Sequence, residues 1–199
     1  MLKSSFTNNK VEAGCDEVGR GCLAGPVVAA AVVLPKRYQH KLLTDSKLIS
    51  KKQRELIKKD IMQDAISYAI AEIDNEEVDK INVLKASFAA MHKALDQLPT
   101  SPELILVDGN RFIPFCEIPF ECIVKGDGKY LSIAAASILA KTYRDQLMQD
   151  LALEHPEYGW ERNVGYPTKG HRAAIKEFGI TKYHRKSFKL LPDQLTIFP

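Results

Sequence analysis

The sequence has no apolar run long enough to cross a bilayer. The longest, Val27 to Leu34, holds eight residues, where a membrane-spanning helix needs about 20. The first ten residues, Met1 to Lys10, are polar and lack the apolar centre of a secretory signal. A soluble, cytoplasmic protein with no membrane partner is therefore expected. Cysteine is scarce as well. Cys15, Cys22, Cys116 and Cys122 are the full set of four, and no two stand in C-x-x-C spacing. That argues against a structural zinc site and for reduced, partly buried thiols. The phosphate-loop pattern G-x-x-x-x-G-K-[ST] is missing, which leaves a nucleoside triphosphatase without support. There is no G-x-S-x-G elbow and no Ser-His-Asp or Cys-His arrangement. Internal repeats and low-complexity linkers are absent too.

What remains is ordinary in bulk and uneven in detail. The chain has 199 residues, 45% of them apolar, enough for one domain with its own core. The net charge of +3 conceals an asymmetry. Between residues 162 and 189 stand eight basic side chains (Arg162, Lys169, Arg172, Lys176, Lys182, Arg185, Lys186 and Lys189) and one acid, Glu177. That segment carries +7 and the rest of the chain −4. Such a patch attracts polyanions, nucleic acid being the usual one. The competing reading is a solvated helix face.

Hydrophobic periodicity sets out the elements. Val11 to Glu17 and Val27 to Leu34 read as strands, separated by Gly19, Gly21, Gly25 and Pro26, and suggest an antiparallel pair. Ser50 and Gln53 fit a capping box that opens a helix to about Asp64. Ile66 to Ile73 alternates like a strand, and Val83 to Leu98 has helical spacing. Leu104 to Val107 and Phe120 to Val124 are short strands, each running into a turn. Leu131 to Leu151 reads as a long helix, rich in Ala and Ser in its first half and so able to pack closely on a sheet. A short helix from Lys169 to Phe178 follows. The pattern is an α/β layered domain, about 1–155, followed by a basic, mostly helical C-terminal part, about 156–199.

Four acids stand out by position. Asp16 and Glu17 end the first strand, Asp108 ends a later one, and Asp127 sits between two glycines just past another. Carboxylates at the ends of buried strands are costly unless compensated, and hard divalent cations such as Mg²⁺ or Mn²⁺ compensate them. If the strands of Asp16 and Asp108 are adjacent and parallel, both carboxylates leave the sheet at one edge, where open α/β sheets place their sites. Two cations roughly 4 Å apart can clamp a phosphodiester for in-line attack by water. The competing reading is solvated turn residues and caps. Gly19, Arg20 and Gly21, directly after the first acids, form a loop that a ligand can approach closely. A guanidinium there suits a phosphate.

These residues resemble the bacterial ribonuclease HII family over almost the whole chain. Seven segments match in order: 14–21, 24–31, 44–47, 107–110, 125–127, 134–145 and 165–171. The resemblance implies a ribonuclease H-like fold, a central mixed β-sheet flanked by helices, with a helical C-terminal appendage. It implies an endoribonuclease that cuts the RNA strand of RNA–DNA hybrids, and single ribonucleotides in duplex DNA, leaving 3′-hydroxyl and 5′-phosphate ends. Asp16, Glu17, Asp108 and Asp127 then correspond to the four metal-binding carboxylates, with Asp145 a competitor for the fourth place. Gly19, Arg20 and Gly21 correspond to the loop whose backbone senses the ribose 2′-hydroxyl, the group that separates RNA from DNA. Tyr166 corresponds to a tyrosine that stacks on a sugar at the RNA–DNA junction, and Lys47 lies near substrate phosphates. The related ribonuclease HIII type carries an extra N-terminal domain, for which a first catalytic pair at residue 16 leaves no room.

At the chain end, Gln194, Leu195, Ile197 and Phe198 resemble the short peptide with which bacterial proteins dock on the DNA sliding clamp. Folding back onto the domain is the competing reading. Nothing in the sequence demands more than a monomer. Two other function classes remain open at this point: another ribonuclease H-like nuclease of the junction-resolvase type, and a non-catalytic nucleic-acid-binding module.

Overall fold

The second strand is built almost entirely from Val and Ala because neither of its faces meets water. In the computed structural model, which describes residues 2–43 and 49–191, β2 (Val27–Val33) is buried along its whole length. Alternate residues serve opposite layers, as strand geometry requires. Val27, Ala29, Ala31 and Val33 join one core cluster, while Val28, Ala30 and Val32 join the other. The sheet has five strands in the order β3-β2-β1-β4-β5. They are β1 (Glu12–Val18), β2, β3 (Ser67–Ile73), β4 (Leu104–Asp108) and β5 (Phe120–Ile123). β1–β2 and β2–β3 pair antiparallel, β1–β4 and β4–β5 parallel. The expected mixed sheet is therefore present, including the antiparallel opening pair.

One layer contains α2 (Asn75–Ile81) and α3 (Val83–Asp96), which bury Val78, Ala90, Met91 and Leu95 against the sheet. The other contains α1 (Lys51–Asp64) and α4 (Leu131–Glu154), through Ile57, Ile61, Ile138 and Leu139. Both halves of the Ser50–Gln53 capping box are made at the start of α1. α2 was not expected from the sequence. It is seven residues long and mostly polar, too short for an apolar period to show, and begins where Asp74 accepts the Glu77 amide at 2.8 Å. Asn82, at φ 67°, ends α2 and caps α3 by accepting the Leu84 and Lys85 amides.

α4 packs very closely on β1. A Cβ on Gly14 would overlap the main chain of Ser132 and Ile133 in the first turn of α4. The Ala-rich face, with Ala134, Ala135 and Ala136 fully buried, matches that proximity. α4 then runs past the sheet. Its second half, through Met148 and Ala152, buries Trp160 of α5 (Trp160–Asn163) and Ala174 and Ile175 of α6 (Lys169–Phe178) in a third cluster. Residues 179–191 contain no helix or strand, so the helical part of this region stops at Phe178.

Gly14→Ala should therefore push α4 off β1. A loss of about 2–3 kcal/mol is expected from overpacking against main chain that has no rotamer to give. Urea unfolding measures it; a loss within experimental error would mean the helix can retreat freely.

Candidate active site at the carboxyl ends of two parallel strands

Parallel pairing in register brings the first acids together. Cys15 pairs with Val107, so the next step along each strand sets Asp16 beside Asp108. Asp16 faces α4, is 7% exposed, and is hydrogen-bonded by Ser137 of that helix. Its carboxyl is held well above the usual carboxylate range, first by burial and then by the charges of Glu17 and Asp108. Burial also raises Glu17, against a lowering contribution from Arg20, whose guanidinium lies 3.1 Å from Glu17 Oε1. Glu17 and Asp108 line a cleft of about 260 Å³ together with Arg20, Asn110 and Arg111.

The turn after β5 completes the edge. Lys125 is left-handed, and the Gly126 amide donates to Asp108 Oδ1 at 2.6 Å. A Cβ on Gly126 would meet Ile133 Cδ1 at 2.6 Å, so a larger residue in this turn beneath Asp108 would displace that side chain. Asp127, the next residue, is buried at 5% exposure. Asp145 lies elsewhere on α4, with Lys141 Nζ at 2.6 Å and Arg54 Nη2 at 3.6 Å. No three His, Cys, Asp or Glu side chains among the described residues stand as a preformed cage for a cation. Asp16, Glu17 and Asp108 are instead each turned to a protein donor. The donor set nevertheless fits a hard divalent cation: every group is a carboxylate oxygen, and the neighbouring charges of Glu17 and Asp108 join burial in opposing the ionisation of Asp16.

Beside the acids, the glycine loop is joined to the C-terminal part. Gly19 is at φ +96°, and a Cβ there would run into Arg144. Arg144 is fully buried and donates to the carbonyls of Pro26, Val164 and Ala24 at 2.9, 2.8 and 2.9 Å. The Leu23 amide donates to Gly165 O at 2.7 Å. Tyr166 thereby lies against Gly21 with its hydroxyl bonded to the Cys22 thiol. The Tyr166 carbonyl is held from below. His171 Nδ1 lies 2.9 Å from it and His171 Nε2 accepts from Trp160 Nε1 at 3.0 Å. His184 Nε2 is 3.2 Å from His171 Nε2, and the Thr181 amide donates to His184 Nδ1 at 3.0 Å. These partners require both imidazoles neutral, with the proton on Nδ1 of His171 and Nε2 of His184. Burial, then the nearby His171, pushes His184 down to about 4.

Of the sequence-derived candidates, the structure gathers Asp16, Glu17 and Asp108, with Asp127 one residue beyond the amide that binds Asp108, and sets Gly19, Arg20, Gly21 and Tyr166 next to them. Lys47, Gln194, Leu195, Ile197 and Phe198 lie outside the described residues. One count needs correction. Arg185, included in the basic surface segment, is 0% exposed and belongs to the interior. Sequence reasoning also passed over Arg144, His171 and His184, although Arg144 and His171 fall inside matching segments.

A mixed sheet of this order, flanked by helices and carrying acids at the ends of two parallel strands, is the ribonuclease H-like fold. A solved ribonuclease H2 from Pyrococcus horikoshii OT3 superposes with a TM-score of 0.75 at 25% identity, covering 90% of this chain and 94% of that one. A ribonuclease HII from Archaeoglobus fulgidus, solved in complex with PCNA, gives 0.74 at 26% identity, covering 94% and 100%. The ribonuclease HII of Christiangramia forsetii is 59% identical over 194 residues, 97% of this chain and 98% of the relative. The family model for ribonuclease HII matches residues 13–191. The chain belongs to the ribonuclease HII family, hydrolases acting on RNA in RNA–DNA hybrids.

Proposed function

We propose that this chain cuts RNA–DNA hybrids, and single ribonucleotides embedded in duplex DNA, at the edge formed by Asp16, Glu17, Asp108 and Asp127. The observation that carries the reading is that Asp16 and Asp108 directly follow the last paired residues, Cys15 and Val107, of two parallel strands, and that the charges of Glu17 and Asp108 add to burial in holding the Asp16 carboxyl above its usual range. Mg²⁺ or Mn²⁺ held by these four acids would offset that charge, activate water and stabilise the leaving oxygen. The chain's own residues supply recognition. Gly19, Arg20 and Gly21 present main chain to the ribose 2′-hydroxyl, and Tyr166 stacks on the adjoining sugar. Lys47 and the exposed basic residues of the 162–189 segment hold the phosphates of the duplex. The products carry 3′-hydroxyl and 5′-phosphate ends. A cytoplasmic monomer suffices for this work, with residues 1–155 providing the chemistry and residues 156–199 much of the grip.

The archaeal relative solved with PCNA lends weight to a second contact, with a DNA sliding clamp, through Gln194, Leu195, Ile197 and Phe198. A peptide of residues 190–199 should bind a bacterial clamp with micromolar affinity, typical of a short linear motif. No binding by fluorescence polarisation at millimolar peptide would remove the contact.

The main test uses a DNA duplex bearing one ribonucleotide beside an all-DNA control, with Mg²⁺ or Mn²⁺. Cleavage 5′ to the ribonucleotide and none of the control is expected. Asp108→Asn should lower cleavage by at least about a hundredfold while binding survives. Equal cutting of both duplexes would indicate a nuclease of the junction-resolvase type. Binding with no cutting under either cation would indicate a non-catalytic module.

A further inference from the structure

We infer that Arg185 is a positioning residue for ribose recognition: by holding the Arg20 carbonyl inward, it turns the Gly21 amide N–H outward to meet the 2′-hydroxyl. The inference rests on the proposed reading of the glycine loop and adds what orients it.

The Arg185 guanidinium spans the loop from beneath. Nη1 donates to Arg20 O at 3.1 Å, while Nε and Nη2 donate to Gly25 O at 3.0 and 2.8 Å. A planar fork of fixed geometry sets both carbonyls at once, which a single-point donor such as lysine does not. Arg20 and Gly21 are exposed, whereas Arg185 is fully buried, so the Arg20 carbonyl points into the protein. No peptide bond among the described residues is cis. In a planar trans peptide the carbonyl and the following N–H point in opposite directions. Fixing the Arg20 carbonyl inward therefore fixes the Gly21 N–H outward.

The character of Gly21 gives independent support. Gly19 has a positive φ and a Cβ there would strike Arg144, so the free protein itself requires glycine at that position. Gly21 has neither constraint. Its φ lies outside the left-handed region, and the nearest atom to a Cβ would be Tyr166 Cε1, at 4.0 Å. Nothing in the free protein calls for glycine there, so the missing side chain serves something that approaches from solvent. It leaves the outward N–H uncovered, on a residue that neighbours the Tyr166 ring.

The side chain of Arg185 is not what docks its segment. The Arg185 amide donates to Leu23 O at 2.8 Å, and the Gly25 amide to Tyr183 O at 2.9 Å, around a bridge between Ala24 and His184. These main-chain bonds remain when the guanidinium is removed.

The test is Arg185→Met with Mg²⁺, reading kcat and KM on a duplex with one ribonucleotide and the inhibition constant of an all-DNA competitor. A lost amide-to-hydroxyl bond should raise KM for the ribonucleotide duplex about tenfold and leave inhibition by DNA unchanged. A merely structural role would weaken both duplexes together; that outcome, or an unchanged preference, overturns the inference. A second measurement needs no Arg185 variant. In the non-cutting Asp108→Asn protein, the Gly21 amide resonance should move on adding the ribonucleotide duplex and much less with the DNA duplex. Equal movement, or none, overturns the inference even if Arg185→Met does not fold. If the unaltered protein shows no preference for the ribonucleotide duplex, the proposed function itself fails, which is a separate result.

Discussion

Carboxylates at the edge of a dry sheet oppose one another, and much of this fold serves to keep them there. Asp16 sits on the face of β1 that α4 covers, and α4 can cover it so closely because residue 14 is glycine and the first turns of the helix are rich in Ala and Ser. That proximity removes water from Asp16 and brings Ser137 to it. In-register parallel pairing adds Asp108, and the glycine-flanked turn that contains Asp127 bonds to Asp108 through the Gly126 amide. Ionised Asp16 at this edge is destabilising without a counter-charge, because burial and the neighbouring charges oppose it.

A second constraint governs the glycine loop. The glycine loop after β1 has few side chains with which to hold itself, so the C-terminal part holds it instead. Two buried guanidiniums bond to the main chain of residues 20–26 and 164, and two neutral histidines support the Tyr166 carbonyl. Charged donors aimed at carbonyl oxygens make stronger bonds than neutral ones, and where they are buried they hold the backbone in one conformation. α4 links the two constraints, since it contributes Ser137 to the acids and Arg144 to the loop.

Much of this was legible in the sequence, because the signals were local. The strands and long helices follow from periodicity, and α1 from the Ser50–Gln53 capping box; the acids at strand ends could meet only if their strands were adjacent and parallel, which the structure shows. α2 was missed because seven mostly polar residues hold too little period to show. Arg185 was counted as a surface charge because an arginine in a basic stretch gives no sign that it bonds to Gly25, 160 residues away. The histidine pair was missed for the same reason: His171 and His184 acquire their roles only when Trp160, Thr181 and Tyr166 converge on them. Local pattern records what a residue prefers, and pairings across the fold decide what a buried polar residue does.

The central claim is that the opposition which burial, Glu17 and Asp108 set against ionisation of Asp16 is what a divalent cation relieves. Because the Asp16 carboxyl is held well above its usual range, cation binding must displace its proton wherever that carboxyl is still protonated. Calorimetric titration with Mg²⁺ or Mn²⁺ in buffers of differing ionisation enthalpy, from about pH 5 to about pH 8, measures that release. The account predicts proton release by the unaltered protein that fades as pH rises, and its loss in Asp16→Asn together with much weaker binding. Cation binding with no proton release across the range, or equally tight binding by Asp16→Asn, would contradict it.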